Sequence, residues 1–149
     1  MGSIAIALAA SDDEIRACHP VLAQLRPGVE PARLLALARI QEREGYRLLA
    51  LNENGVVAAV AGFRIAHNLA WGRYLYVDDL VTDGARRSRG HGRRLMDWLI
   101  DHATREKCDE LHLDSGVQRL GAHRFYLRLG MDITSHHFRV RLGGTPPTS

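Results

Sequence analysis

The tetrad Asn52-Glu53-Asn54-Gly55 joins two strand-like apolar runs, Tyr46 to Leu51 and Val56 to Ala66. Asn-Gly between such runs is the strongest short hairpin signal, because the tight turns that match strand twist need positive φ. The two runs must therefore lie antiparallel. Asn68 to Gly72 turns the chain again, and Arg73 to Thr82 (RYLYVDDLVT) reads as a third consecutive strand. The centre of the chain is an antiparallel meander.

On either side the hydrophobic period changes. Ile4 to Leu8 reads as a first strand. Ser11 is a good N-cap, and Asp12, Asp13 and Glu14 suit the positive end of a helix. Ile15, Cys18, Leu22 and Leu25 recur at helical spacing until Pro27-Gly28 stops the run. Pro31 opens a second helix with Leu34, Leu35, Ala38 and Ile40 on its apolar face, and Gly45 ends it. After the meander comes a long helix, about Gly92 to Lys107, with Leu95, Met96, Leu99, Ile100 and Ala103 in a wide apolar stripe. Glu110 to Asp114 is a short strand, Gln118 to Leu129 a helix closed by Gly130, and Met131 to Leu142 extended. The strand, long helix and strand from Arg73 to Asp114 form a crossover unit whose outer strands should be parallel. These elements predict an α/β (α+β) fold: a mixed, mainly antiparallel sheet with helices on both faces, in the order β-α-α-β-β-β-α-β-α-β.

Size and composition fit one globular unit. The chain has 149 residues, 46% hydrophobic and 25% charged, with a net charge of +3. This predicts a single domain over residues 1–142 and a flexible tail, 143–149, rich in Gly, Pro and Thr. No apolar run approaches the ~18 residues of a membrane helix. No basic segment precedes the apolar N-terminus, so a first strand is expected there, not a signal peptide. Cys18 and Cys108 match no metal or redox spacing. Two buried thiols in a reducing, cytoplasmic setting are the expectation.

The stretch Ala85 to Leu95, ARRSRGHGRRL, carries five arginines around Gly90 and Gly92. It runs from a strand end into a helix start. There the first backbone N–H groups lack intrahelical partners and the dipole is positive, which favours an anion. Gly90-x-Gly92 is followed by Leu95, not by the third glycine of a dinucleotide-binding turn, and no Walker A run exists. From this stretch alone a phosphate cradle, a basic patch for nucleic acid and a solvated turn all stay open.

Taken with its neighbours, the stretch resembles the GNAT superfamily of N-acetyltransferases. Arg87-Ser88-Arg89-Gly90-His91-Gly92 fits that family's [QR]-x-x-G-x-[GA] loop at the start of the third helix. Tyr76 to Thr82 resembles its fourth strand. Ala122 to Met131, with Phe125, Tyr126 and Gly130, resembles its A-x-x-[FL]-Y-x-x-x-G-[FM] helix end. The likeness covers about 4 to 142 and is strongest from Tyr74 to Met131. One departure is Arg119, where many relatives have an asparagine that contacts the cofactor arm.

The resemblance implies transfer of acetyl from acetyl-CoA to an amine in a ternary complex, with no metal. It implies that Arg87, Ser88, Arg89, Gly90, His91, Gly92 and Arg93 hold the pyrophosphate, mainly through amides, with the His91 side chain pointing outward. It implies that N–H groups near Leu80, Val81 and Thr82 polarise the thioester carbonyl, and that the pantetheine arm lies between that strand and Leu111 to Ser115. An alkylamine is only about one part in a thousand neutral at pH 7, so a base must accept a proton. Asp78 and Asp79 lie on the strand concerned. Strand alternation sends them to opposite faces. The resemblance to diamine acetyltransferases, with Glu-Asp in the same register, favours Asp78. Tyr126 stands at the family's position for the acid that protonates the departing thiolate.

Two other readings compete: a catalytically silent CoA-binding sensor on the same fold, and an arginine-rich nucleic-acid module. The acidic Asp78-Asp79 and the small net charge oppose the latter, so no nucleic-acid partner and no membrane partner are expected. The acceptor stays open between a small-molecule amine and a protein amine. A homodimer is compatible with the family. His136 and His137, adjacent on an extended segment, face opposite ways and cannot chelate one ion together. Trp71 and Trp98 are expected to pack, with lining of the acceptor pocket the alternative for Trp71, in its turn near the acceptor side.

Overall fold

The computed structural model describes residues 2–143. They fall into two units, Met1–Leu113 and Asp114–Ser149. The first contains β1 (Ile4–Ala9), α1 (Asp12–Ala17), α2 (His19–Leu25), α3 (Pro31–Glu42), β2 (Arg47–Glu53), β3 (Val56–Asn68), β4 (Gly72–Thr82), a short 3-10 turn (Gly84–Arg86), α4 (His91–Arg105) and β5 (Glu110–Leu113). The second contains α5 (Leu120–Arg128). Of the expected tail, only Gly143 lies among the described residues.

The strands form one sheet in the order β1-β2-β3-β4-β5. All neighbours are antiparallel except β4 and β5, which run parallel as the crossover unit requires. Asn54 (φ 54) and Gly55 (φ 81) supply the two positive-φ positions of the hairpin.

Two differences from the expected order stand out. The first helix is two: Cys18 ends α1 and Pro20, in the first turn of α2, has no N–H to continue the ladder. The last strand is absent among the described residues, since 131–142 pairs with no strand of the sheet. Alternation in Phe138-Arg139-Val140-Arg141-Leu142 permits a strand, but a strand exists only where a ladder partner does.

Ser11 caps α1 through a reciprocal box: its Oγ accepts from the Glu14 amide, and Glu14 Oε1 accepts from the Ser11 amide at 2.9 Å. One sheet face carries α1 to α3 over Ile15, Val21, Leu22, Ala38, Tyr46, Leu48 and Val60, all buried. The other carries α4, whose Leu95, Met96 and Leu99 are fully buried. Phe63 marks that face by its edge contacts with Trp98 and His102 of α4. Each buried Leu side chain contributes about 2 kcal/mol. No helix among the described residues is long and apolar enough to cross a membrane.

Candidate active site

The loop between β4 and α4 is shaped by two left-handed residues. Ser88 has φ 65 and Gly90, the N-cap of α4, has φ 78. A Cβ at Gly90 would meet only Arg94 Nη1, at 3.8 Å, so glycine is needed there for its φ and not for space. The first amide past the loop, Arg94 N–H, donates to Gly90 O at 3.0 Å. Those from Arg87 to Arg93 donate to no described residue. The loop thus presents a run of free N–H groups at the positive end of a 15-residue helix.

The arginines around it are mostly engaged. Arg86 Nη1 and Arg89 Nη1 each donate to Glu53 Oε1 at 2.7 Å. Arg93 pairs with Asp97, and Arg94 Nη1 donates to Arg89 O at 2.9 Å. Arg87 alone of the five has no partner among the described residues. His91, expected to point outward, points inward: it is 2% exposed, with Nε2 3.1 Å from Glu53 Oε2. It begins the buried stripe that continues through Leu95 and Leu99. Arg94 Nη1 lies 3.5 Å from His91 Nδ1, on the side of the ring away from Glu53. For Glu53, burial alone would raise the pKa. The Arg86 hydrogen bond and the charges of Arg89 and His91 outweigh it and hold the carboxyl below its ordinary value.

The acid pair on β4 is arranged differently from simple alternation. The β3–β4 register pairs Gly62 with Asp79 and Phe63 with Val77, leaving Asp78 as the extra residue of a β-bulge. A bulge resets which face follows, and both carboxylates lie on the α1–α3 side. Arg64 Nε donates to Asp78 Oδ2 at 2.9 Å, and the Arg64 guanidinium lies 5.5 Å from the centre of the Tyr46 ring. Tyr46 Oη donates to Asp79 Oδ2 at 2.7 Å, and Arg26 Nε donates to Asp79 Oδ1 at 3.0 Å. Asp79 therefore has both oxygens occupied, whereas Asp78 Oδ1 has no partner among the described residues. Burial raises the Asp78 pKa, with Arg64 opposing. Burial, then the Asp79 charge, drives the Tyr46 phenol far above its ordinary value and keeps it a donor.

From the acid pair onward, β4 has lost one neighbour. Its ladder to β5 runs from Tyr74↔Glu110 to Val77↔Leu113 and stops, while β3 still pairs through Thr82↔Ala59. Leu80, Val81 and Thr82 thus lie on a half-open edge. Leu111 and Leu113 stand where the ladder is still closed, so the expected gap starts only past them.

In the second unit, Tyr126 lies on α5 with its carbonyl accepting from Leu129 and Met131 amides at 3.1 and 3.2 Å. Its ring sits 5.4 Å from that of Phe125. Burial raises its phenol pKa and the Arg119 charge opposes this. Ser115 Oγ is buried with no hydrogen-bond partner among the described residues.

Residues 13–131 match the acetyltransferase (GNAT) family. This chain belongs to that family. It is 34% identical over 131 residues to the N-acetyltransferase YhdJ of Bacillus subtilis (strain 168), itself uncharacterized, covering 87% of this chain and 92% of the relative. It is 29% identical over 109 residues to the L-methionine sulfoximine/L-methionine sulfone acetyltransferase of Salmonella typhimurium, covering 72% of this chain and 63% of that one. Among solved structures, the aminoglycoside N-acetyltransferase AAC(6')-Iy in complex with CoA superposes with a TM-score of 0.84, covering 95% of this chain and 96% of the other. At 17% identity that likeness concerns the fold alone. The protein is an enzyme of the GNAT acyltransferase type.

Within this GNAT fold, sequence reasoning missed Glu53, Tyr46, Gly62, Arg26 and Arg64. Glu53 carried a usable signal: it continues the Leu49, Leu51 alternation toward the α4 face, where a lone carboxylate demands cationic partners. Arg26 and Arg64 carried none, because their partners lie 53 and 14 residues away.

Proposed function

We propose that this GNAT enzyme is an acetyl-CoA-dependent N-acetyltransferase whose acceptor is a primary amine, on a small molecule or a protein. The observation that supports it most is the run of free amides from Arg87 to Arg93, arranged by left-handed Ser88 and Gly90. When bound, acetyl-CoA supplies an acetyl group activated as a thioester. The amides of Ser88 to Arg93 bind its pyrophosphate, and the free Arg87 guanidinium adds a charge-assisted contact. N–H groups on the half-open edge from Leu80 to Thr82 face the carbonyl oxygen, as in an oxyanion hole.

Asp78 accepts the amine proton at Oδ1, directly or through water. Its raised pKa makes it a stronger base than an exposed aspartate. Asp79, held by Tyr46 and Arg26, fixes the shape of the acceptor side. Tyr126 Oη holds the proton that a departing thiolate needs, the role its motif register implies. The relatives' names mention dissimilar amines, a methionine derivative and an aminoglycoside, so we keep the acceptor at the level of a primary amine. Engagement of Arg86, Arg89, Arg93 and Arg94 by the protein's own groups speaks against a nucleic-acid module.

Thermal unfolding with CoA and acetyl-CoA tests the reading. Ligand at 100 times its Kd should stabilise the fold by about 2.7 kcal/mol, and an amine panel should then release CoA thiol. Absence of any stabilisation by either ligand would overturn it.

A further inference from the structure

The charge pattern around the anion loop is unusual in one respect: a carboxylate sits at its centre. Glu53 ends β2, is 9% exposed, and lies 33 to 38 residues from the groups it binds. One oxygen takes Arg86 and Arg89, and the other takes His91. These three residues bracket the loop: Arg86 precedes it, Arg89 lies within it, and His91 opens α4. Arg94 closes the ring by gripping Arg89 O and approaching His91. A carboxylate here would oppose a phosphate if its charge were free. With two guanidiniums on it, its charge is neutralised and the remaining feature is mechanical.

We propose that Glu53 is the positioning residue of the phosphate loop: it fixes Arg86, Arg89 and His91 so that the amides from Arg87 to Arg93 stay aimed at the anion. This rests on the reading of that loop as the CoA pyrophosphate site. The physical reason is preorganisation. Left-handed Ser88 costs conformational energy, so the loop keeps its shape only if its flanks are held. Backbone in a surface loop has no ladder to hold it, and a buried multidentate carboxylate supplies the missing anchor. The device also removes Arg86 and Arg89 from direct phosphate binding and leaves Arg87 for it.

The test compares Kd for CoA with Kd for pantetheine, which lacks the phosphates, by calorimetry on wild type and Glu53→Gln. Glutamine keeps the shape and loses the charge. The wild type should prefer CoA, and the variant should lose about tenfold of that preference with pantetheine affinity unchanged. A general loss of structure would weaken both ligands alike, and that result overturns the assignment. So does a variant that keeps the full CoA preference, or one that binds CoA more tightly, which would make the arginines the phosphate ligands. Should Glu53→Gln not fold, Arg86→Gln removes one of the anchor's partners and should lower the same ratio in the same direction; an unchanged ratio overturns the assignment there too. A wild type with no preference for CoA over pantetheine removes the phosphate-loop reading itself, and this inference with it.

Discussion

Tyr46 donates its phenolic hydrogen to Asp79 Oδ2 at 2.7 Å, directly over Gly62. The three residues come from the position just before β2, the middle of β3 and β4. A Cβ at Gly62 would overlap the Tyr46 hydroxyl and come within 2.8 Å of Asp79 Oδ2. The absence of a side chain at Gly62 is what lets the tyrosine reach the acid.

Gly62→Ala is therefore expected to expel Tyr46 from its buried site and break the bond to Asp79. Overpacking of this kind costs about 1–3 kcal/mol. Urea unfolding checks it. A variant as stable as wild type would show that the hydroxyl can shift freely, and the tight three-residue packing would then be unimportant.

Asp78 and Asp79 should separate kinetically. Asp78→Asn is expected to lower kcat/KM by about 10²–10⁴-fold, while Asp79→Asn should act mainly on stability, by about 1–3 kcal/mol through Tyr46 and Arg26. The sign of the pH effect follows from burial. The folded Asp78 pKa is raised above the ordinary 3.8, so activity should fall as pH drops through that raised value. Asp78→Asn should remove that acid limb. The same shift means that folding favours protonated Asp78, so its contribution to stability fades as pH rises through the folded pKa. An acid limb unchanged in Asp78→Asn would assign the base elsewhere.

Replacement of Gly90 tests whether amides or arginines make the proposed anion site. Gly90→Ala forces a non-glycine residue to φ 78, at a cost of roughly 1–2 kcal/mol, which should weaken acetyl-CoA about tenfold or more. Arg93→Ala keeps its backbone amide and removes only a side chain paired with Asp97 on the surface, so a change of about twofold or less is expected. Calorimetric Kd values for the two variants decide. Equal losses would restore the basic-patch interpretation.

The legible part of the site was its local part. The loop from Arg87 to Gly92 was readable as a strand-to-helix turn because a strand end, two glycines and a helix start follow each other directly, and each constrains its neighbour through backbone geometry. Arg87 has no partner among the described residues, whereas Arg89 and His91, the latter expected to point outward, are captured by a carboxylate from β2. The acid pair was readable as residues but not as geometry. Opposite faces follow from strand alternation, and the bulge that cancels it arises from how β4 registers against β3 around Gly62. Register depends on two strands at once, and neither sequence run encodes it alone.

By itself the sequence determined the hairpin at Asn54-Gly55, the capped start of α1, the parallel crossover through α4 and the family motif from Arg87 to Gly92. All of these are set by short-range backbone preferences and by apolar periodicity. Tertiary structure decided that Glu53 would gather Arg86, Arg89 and His91, that Asp78 and Asp79 would share a face, and that Tyr46 would rest over Gly62. Those are long-range pairings of buried polar groups. Their partners are selected by the need to satisfy each charge and donor once the sheet has closed, and that need does not exist until the strands are in register.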